Sequence, residues 1–188
     1  PDGAWALAVN PKTGAILGMA SRPTFHPSEY QKFDPEIYNR NYPIWSTYEP
    51  GSTFKIITMA AALEEKVVDL ETDHYHDKGY IEVGGARLRC WKHGGHGTQT
   101  YLEVAQHSCN PGFVDLGQRL GVDRLFDYID AFGFGEKTNV DLAGEASGIL
   151  FARENVGPVE LGTTSFGQGV SVTPIQQVMA VSAAVNGG

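Results

Sequence analysis

Glu49-Pro50-Gly51-Ser52-Thr53-Phe54-Lys55 is the stretch at which the chain changes character. Upstream of it, Pro23, Pro27, Pro35, Pro43 and Pro50 stand too close together for a long helix, so residues 22–51 read as an extended, aromatic-rich connection. From Ser52 to Glu65 there is neither Gly nor Pro, and Phe54, Ile57, Ala61 and Val68 recur near helical spacing. A buried helix is therefore expected to begin at Ser52. Ser52 and Lys55 then share one face, with about 5–6 Å between their Cβ atoms. A serine hydroxyl is a weak nucleophile that needs a base beside it, and a lysine serves if its pKa is lowered. Burial beside Phe54 and Ile56 and the positive end of the helix both act in that direction. The helix start also aims the Ser52 amide at a developing oxyanion. Alone, a Ser-x-x-Lys is equally an N-cap serine followed by a solvated lysine.

Outward from that stretch, Ala4–Val9 and Ala15–Ala20 are short apolar strands joined by Asn10-Pro11-Lys12-Thr13-Gly14, a β-hairpin occupying residues 1–21. Residues 52–188 read as a helical region. Tyr80–Leu88 alternates loosely around Gly84-Gly85, an accessory hairpin. Thr100 followed by Glu103 is a capping box opening a short helix. Asn110-Pro111 opens another that Gly121 should stop, and Val122, Leu125, Ile129 and Phe132 make a further one, ended by Gly133. Thr173-Pro174 caps a last helix that ends at Asn186-Gly187-Gly188. Ser108-Cys109-Asn110 falls in the turn between two of these helices. There the serine can relay a proton to a leaving amine, and the asparagine amide can both donate to and accept from a substrate peptide bond. Asn110 is equally suited to capping the helix that follows.

The chain has 188 residues, 41% of them hydrophobic and 19% charged, a composition for one folded domain and against disorder. A formal net charge of −8 excludes the electrostatic footprint of a nucleic-acid binder. No apolar run approaches the roughly 20 residues of a membrane span, and a start at Pro1 suggests an excised piece whose anchor has been removed. Cys90, His93 and His96 have metal-like spacing, but zinc needs a fourth ligand or an open site. No second Cys or His cluster stands nearby in the sequence, and the glycines of the run suggest a mobile loop. His74 and His76 read as exposed polar residues.

Taken together, Glu49–Lys55, Gly95-His96-Gly97, Ser108-Cys109-Asn110-Pro111-Gly112-Phe113 and Gly167-Gln168-Gly169 with Thr173-Pro174 resemble the class B penicillin-binding proteins. The hairpin with its Asn-Pro-Lys-Thr-Gly turn is similar to the start of their transpeptidase domain. Cys109 within the triplet, with Arg89-Cys90-Trp91 upstream, is most similar to the sporulation-specific branch that builds spore cortex. The resemblance implies an α/β fold of the penicillin-recognising serine transpeptidase and β-lactamase type, an antiparallel sheet with a helical region. It implies Ser52 as acylated nucleophile, Lys55 as general base, Ser108 as proton relay and Asn110 as holder of the donor peptide. Implied too are attack on D-Ala-D-Ala stem peptides of peptidoglycan, trapping of β-lactams, no metal or organic cofactor, and a glycosyltransferase partner in the cell-wall machinery. The implied location is the extracytoplasmic face of the membrane, with an N-terminal anchor. A β-lactamase and a non-catalytic β-lactam sensor or scaffold are the rival functions.

The family's Lys-Thr-Gly strand would follow the last helix, beyond Gly188. Without it the domain is partial, little activity is expected of the 188-residue chain, and Ala4–Val9 should present an unpaired edge. Lys12-Thr13-Gly14 precedes the nucleophile and reads as a solvated turn. Outside the cytoplasm disulfides form, so Cys90 and Cys109 read either as two free, buried thiols packing as small hydrophobes or as a bond that closes a loop of about 20 residues and restrains the triplet until a thiol reductant opens it.

Overall fold

The computed structural model describes residues 3–187, which leaves Pro1, Asp2 and Gly188 of the expected end segments outside. In chain order the elements are strands β1 (Ala4–Val9) and β2 (Ile16–Arg22), then helices α1 (Pro35–Tyr38), α2 (Tyr42–Trp45) and α3 (Lys55–Glu64). Strands β3 (His74–Asp77), β4 (Tyr80–Val83), β5 (Ala86–Arg89) and β6 (Gly97–Thr100) follow. Helices α4 (Tyr101–Gln106), α5 (Asn110–Ala131), α6 (Pro158–Thr164) and α7 (Pro174–Asn186) complete the chain. They form two compact units, one of residues 1–48, 133–149 and 171–188, the other of residues 49–132 and 150–170. The 52–188 region expected as one helical body is thus divided, because its segments 133–149 and 171–188 fold with the hairpin.

In the first unit β1 and β2 pair antiparallel with a bulge at Ala8/Val9. Asn10 makes the turn: its side chain accepts from the Lys12 amide, and its carbonyl accepts from the Thr13 and Gly14 amides. Lys12 and Thr13 are exposed there, as a solvated turn requires. The connection after β2 is less extended than its prolines suggest. Each short helix in it takes a proline in its first turn, where the missing N–H costs nothing. Thr173 and Gln176 form a capping box for α7, and Gly187 ends that helix in the left-handed conformation. Gln176 also reaches back with its Nε2 to the Glu136 and Ser147 carbonyls, tying the irregular 133–149 segment to the helix start.

The second unit is helical around a core that includes Phe54, Ile57, Ala61, Phe113, Leu116, Leu125 and Ile129. Gly121 interrupts the helical backbone as expected, at φ 77° and ψ 172°, so α5 is two helices that meet at a kink there, the second running on to Ala131. Two small antiparallel ladders lie in the same unit, β4–β5 as expected and β3–β6, which the sequence reading missed. The β3–β6 pair carries His74 and His76, both exposed, and hands the chain into the Thr100/Glu103 capping box of α4.

Candidate active site

Ser52 is exposed on a 3-10 turn, Gly51–Phe54, and Lys55 is the first residue of α3. The α-helix expected from Ser52 thus begins three residues later, at Lys55, and Ser52 lies in the 3-10 turn before it, a form where residues three apart are eclipsed, so the spacing of the pair serves the same end. A second chain segment sets this turn. The Gly51 amide donates to the Gly167 carbonyl at 2.8 Å, and Gly167 has φ +80°. A Cβ on Gly167 would lie 2.2 Å from the Gly51 carbonyl oxygen and 2.7 Å from Phe54 Cβ. Only glycine permits that approach. Close by, the Gly169 amide donates to Glu49 Oε1.

Lys55 is 4% exposed, although its other expected neighbour, Ile56, turns outward at 40%. Burial instead comes from Phe54 and from Phe113 of α5, whose ring centroid lies 5.1 Å from Nζ. Desolvation there lowers the lysine to about 8. Nζ has three oxygen partners: the Ser108 carbonyl at 2.8 Å, Ser108 Oγ at 3.0 Å and Asn110 Oδ1 at 2.6 Å. An ammonium donates all three; a neutral amine donates two and can accept from the Ser108 hydroxyl.

Ser108 adopts φ 52°, a conformation that costs a non-glycine residue roughly 1–3 kcal/mol unless its surroundings fix it. Here the two bonds to Lys55 and the Ser108 amide's bond to the Ala105 carbonyl hold it. Asn110 is not the cap of α5; Cys109 occupies that position and Asn110 is the first helical residue. That placement turns its Oδ1 to Lys55 and its Nδ2 to the Arg89 carbonyl at 3.3 Å. Gly112 lets the turn sit on α4, since a Cβ there would lie 2.5 Å from Val104 Cγ1.

Ser52 and Lys55 on one segment and Ser108 and Asn110 on another are therefore brought together, and a third segment, at Gly167, fixes the turn that carries Ser52. A profile of the penicillin binding protein transpeptidase domain matches residues 4–188. The chain belongs to that family. Relatives include Stage V sporulation protein D of Bacillus subtilis strain 168, 71% identical over 188 residues, all of this chain and 29% of that protein. Peptidoglycan D,D-transpeptidase FtsI of Escherichia coli K12 is 33% identical over 91% of this chain and 28% of its own. Among solved structures, penicillin binding protein 3 of Mycobacterium tuberculosis, complexed with aztreonam, superposes with a TM-score of 0.89 at 29% identity, covering 99% of this chain and 41% of that one. This transpeptidase-family chain has the expected α/β penicillin-recognising fold, and it spans under a third of the length of those curated relatives.

Cys90 and Cys109 are both buried and both free in the structure. Burial raises both thiols, Cys109 to about 12. They do not stand alone. The Cys109 Sγ donates to Asp77 Oδ2 at 3.4 Å, and that oxygen also accepts from the His96 amide at 3.0 Å and from its Nδ1 at 2.9 Å. Against the burial that would raise it, hydrogen bonds from His96, Cys90 and Gly79 carry Asp77 down to about 2. The Cys90-His93-His96 grouping read from spacing is corrected on one member, since His93 is exposed while Asp77 and Cys109 join the other two. Nothing in the local sequence around Asp77 signals this; the β3–β6 pairing brings it in. Glu160 accepts from the Gly157 amide in the first turn of α6.

Proposed function

We propose that this chain carries the acylating centre of a peptidoglycan D,D-transpeptidase serving spore cortex synthesis. One observation carries the reading: a buried lysine of lowered pKa stands three residues after an exposed serine on a tight turn and bonds both polar members of a Ser-x-Asn triplet. The names of the relatives agree with it. In the reaction Ser52 Oγ attacks the carbonyl carbon of the D-Ala-D-Ala amide, and neutral Lys55 takes the hydroxyl proton. The Ser52 amide, at the start of the 3-10 turn, faces the oxyanion. Ser108, bonded to Lys55, passes the proton to the departing amine as the C–N bond breaks. Asn110 holds the donor peptide by its amide. An amine of a neighbouring stem then attacks the ester and frees Ser52. β-Lactams enter the same first step and stay as acyl-enzymes.

The role of Glu160 as a helix cap argues against a deacylating glutamate at that position, and so against the β-lactamase reading. Location outside the cytoplasmic membrane, an N-terminal anchor and a glycosyltransferase partner belong to the same proposal, supported by the family. So does a thiol reductant acting on a Cys90–Cys109 disulfide, for which the support is that the two sulfurs lie within 4.8 Å of each other beside the triplet. The test is covalent labelling of the full-length protein by fluorescent penicillin. Ser52→Ala and Lys55→Ala are each expected to abolish it with the fold intact by circular dichroism, and normal labelling of Ser52→Ala would refute the assignment.

A further inference from the structure

Four side chains scattered over 33 positions of sequence converge at the triplet. Asp77 ends β3, Cys90 follows β5, His96 precedes β6 and Cys109 caps α5. One donor atom from each lies within 4.8 Å of every other. The set is closed to solvent: Asp77 is 1% exposed, Cys90 9% and Cys109 0%, and the His96 side chain 4%.

The backbone is built to bring them together. Gly95, at φ +79°, would place a Cβ 2.2 Å from the Asp77 carbonyl oxygen and 2.3 Å from the Gly79 amide. The 90–96 segment is thus pressed onto the end of β3 where only glycine fits, rather than forming the mobile loop its glycines suggest.

His96 Nδ1 lies 2.9 Å from Asp77 Oδ2 and 3.4 Å from Cys90 Sγ, and Cys109 Sγ lies 3.4 Å from the same carboxylate oxygen, so each of the four faces another ligating atom within one buried cluster. A dication placed among them takes a lone pair from all four at once. With metal–sulfur bonds near 2.3 Å and metal–nitrogen and metal–oxygen bonds near 2.0–2.1 Å, a tetrahedron has edges of roughly 3.3–3.8 Å. The contacts of 2.9–3.4 Å here need to open by a few tenths of an ångström, and pairs out to the 4.8 Å limit to close by about 1 Å. Two thiolates, an imidazole and one carboxylate are a donor set suited to zinc.

We propose that Asp77, Cys90, His96 and Cys109 form a closed four-ligand zinc site that fastens the Ser108–Cys109–Asn110 turn. Binding displaces the two thiol protons to solvent and leaves the imidazole neutral with its proton on Nε2. Cys109 then anchors to the ion the turn whose flanking residues both bond Lys55. The same two sulfurs cannot hold the ion and form a disulfide. Oxidation by a disulfide-bearing protein, itself reduced to the dithiol, would form the Cys90–Cys109 bond and release Zn²⁺.

The experiment uses the full-length protein, fully reduced and stripped with a chelator, titrated with Co²⁺ as the probe and then with Zn²⁺. One equivalent of Co²⁺ should bind with thiolate-to-metal charge transfer in the near ultraviolet and tetrahedral bands in the visible. One equivalent of Zn²⁺ should bleach both and shield two thiols from a disulfide reagent. Cys90→Ser and His96→Gln should each weaken binding by about 100-fold or more, since even outer-shell losses cost about 10–100-fold. His93→Ala should leave binding unchanged. The reduced wild-type protein decides the matter even if a ligand variant misfolds: no thiolate band, an octahedral spectrum or two fully reactive thiols under Zn²⁺ would overturn the proposal.

Discussion

Gly167→Ala is the substitution that most directly stresses the nucleophile's turn. The new Cβ would lie 2.2 Å from the Gly51 carbonyl oxygen, whereas real Cβ contacts essentially never fall below 3.0 Å. The two segments must therefore part by about 0.8 Å, and what yields is backbone, not the end of a flexible side chain. Left-handed backbone costs a side-chain-bearing residue about 1–2 kcal/mol, and forcing atoms into a packed interior typically costs about 1–3 kcal/mol more. The stiffer unfolded chain returns about 0.4–1 kcal/mol. A net loss of about 1–5 kcal/mol in folding stability is expected. Because the parting occurs one residue before Ser52, a displacement near 1 Å should also slow acylation by on the order of 10²-fold. The control is Gly85→Ala, at φ +82° with nothing within 4 Å of its Cβ, which should lose at most about 1.5 kcal/mol and keep its acylation rate. The assays are denaturant unfolding and the second-order rate of fluorescent penicillin labelling on the full-length protein. Wild-type labelling by Gly167→Ala, with a stability loss no larger than that of Gly85→Ala, would refute the reasoning.

Two further outcomes follow from the same structure. With Lys55 near 8 rather than at its ordinary 10.5, about a tenth of the protein holds the neutral base at pH 7. The acylation rate should climb tenfold per pH unit below 8 and level off above it, and a climb continuing to pH 10 would show that the lysine is not lowered. The isolated 188-residue chain should associate through β1, which among the described residues pairs only with β2 and exposes Trp5 at 41%. Sedimentation velocity should show concentration-dependent association that Ala6→Lys reduces, and a monomer at all concentrations would contradict this.

Much of the site was legible in the residues because its signals are local. The capping boxes at Thr100/Glu103 and Thr173/Gln176, the Gly84-Gly85 hairpin and the Ser52/Lys55 spacing each depend on neighbours within four positions. What escaped depends on distant pairing. No periodicity in His74–Asp77 marks a strand, and its partner, Gly97–Thr100, lies beyond the accessory hairpin. Asp77 entered the cysteine–histidine cluster only through that pairing. Gly121 was legible for the same local reason as the caps: at φ 77° and ψ 172° it breaks the helical backbone between two helices. Ile56 was paired with Lys55 by adjacency, whereas the burying group, Phe113, comes from α5.

The central claim is that Ser52 is the acylated residue of a Lys55–Ser108–Asn110 centre. Peptide mapping by mass spectrometry of the full-length protein after brief exposure to penicillin tests it most directly. One penicilloyl group per chain is expected, located on Ser52 and absent from Ser108 and every other serine. An adduct on another residue, or none on protein that is folded and reduced, would contradict the account.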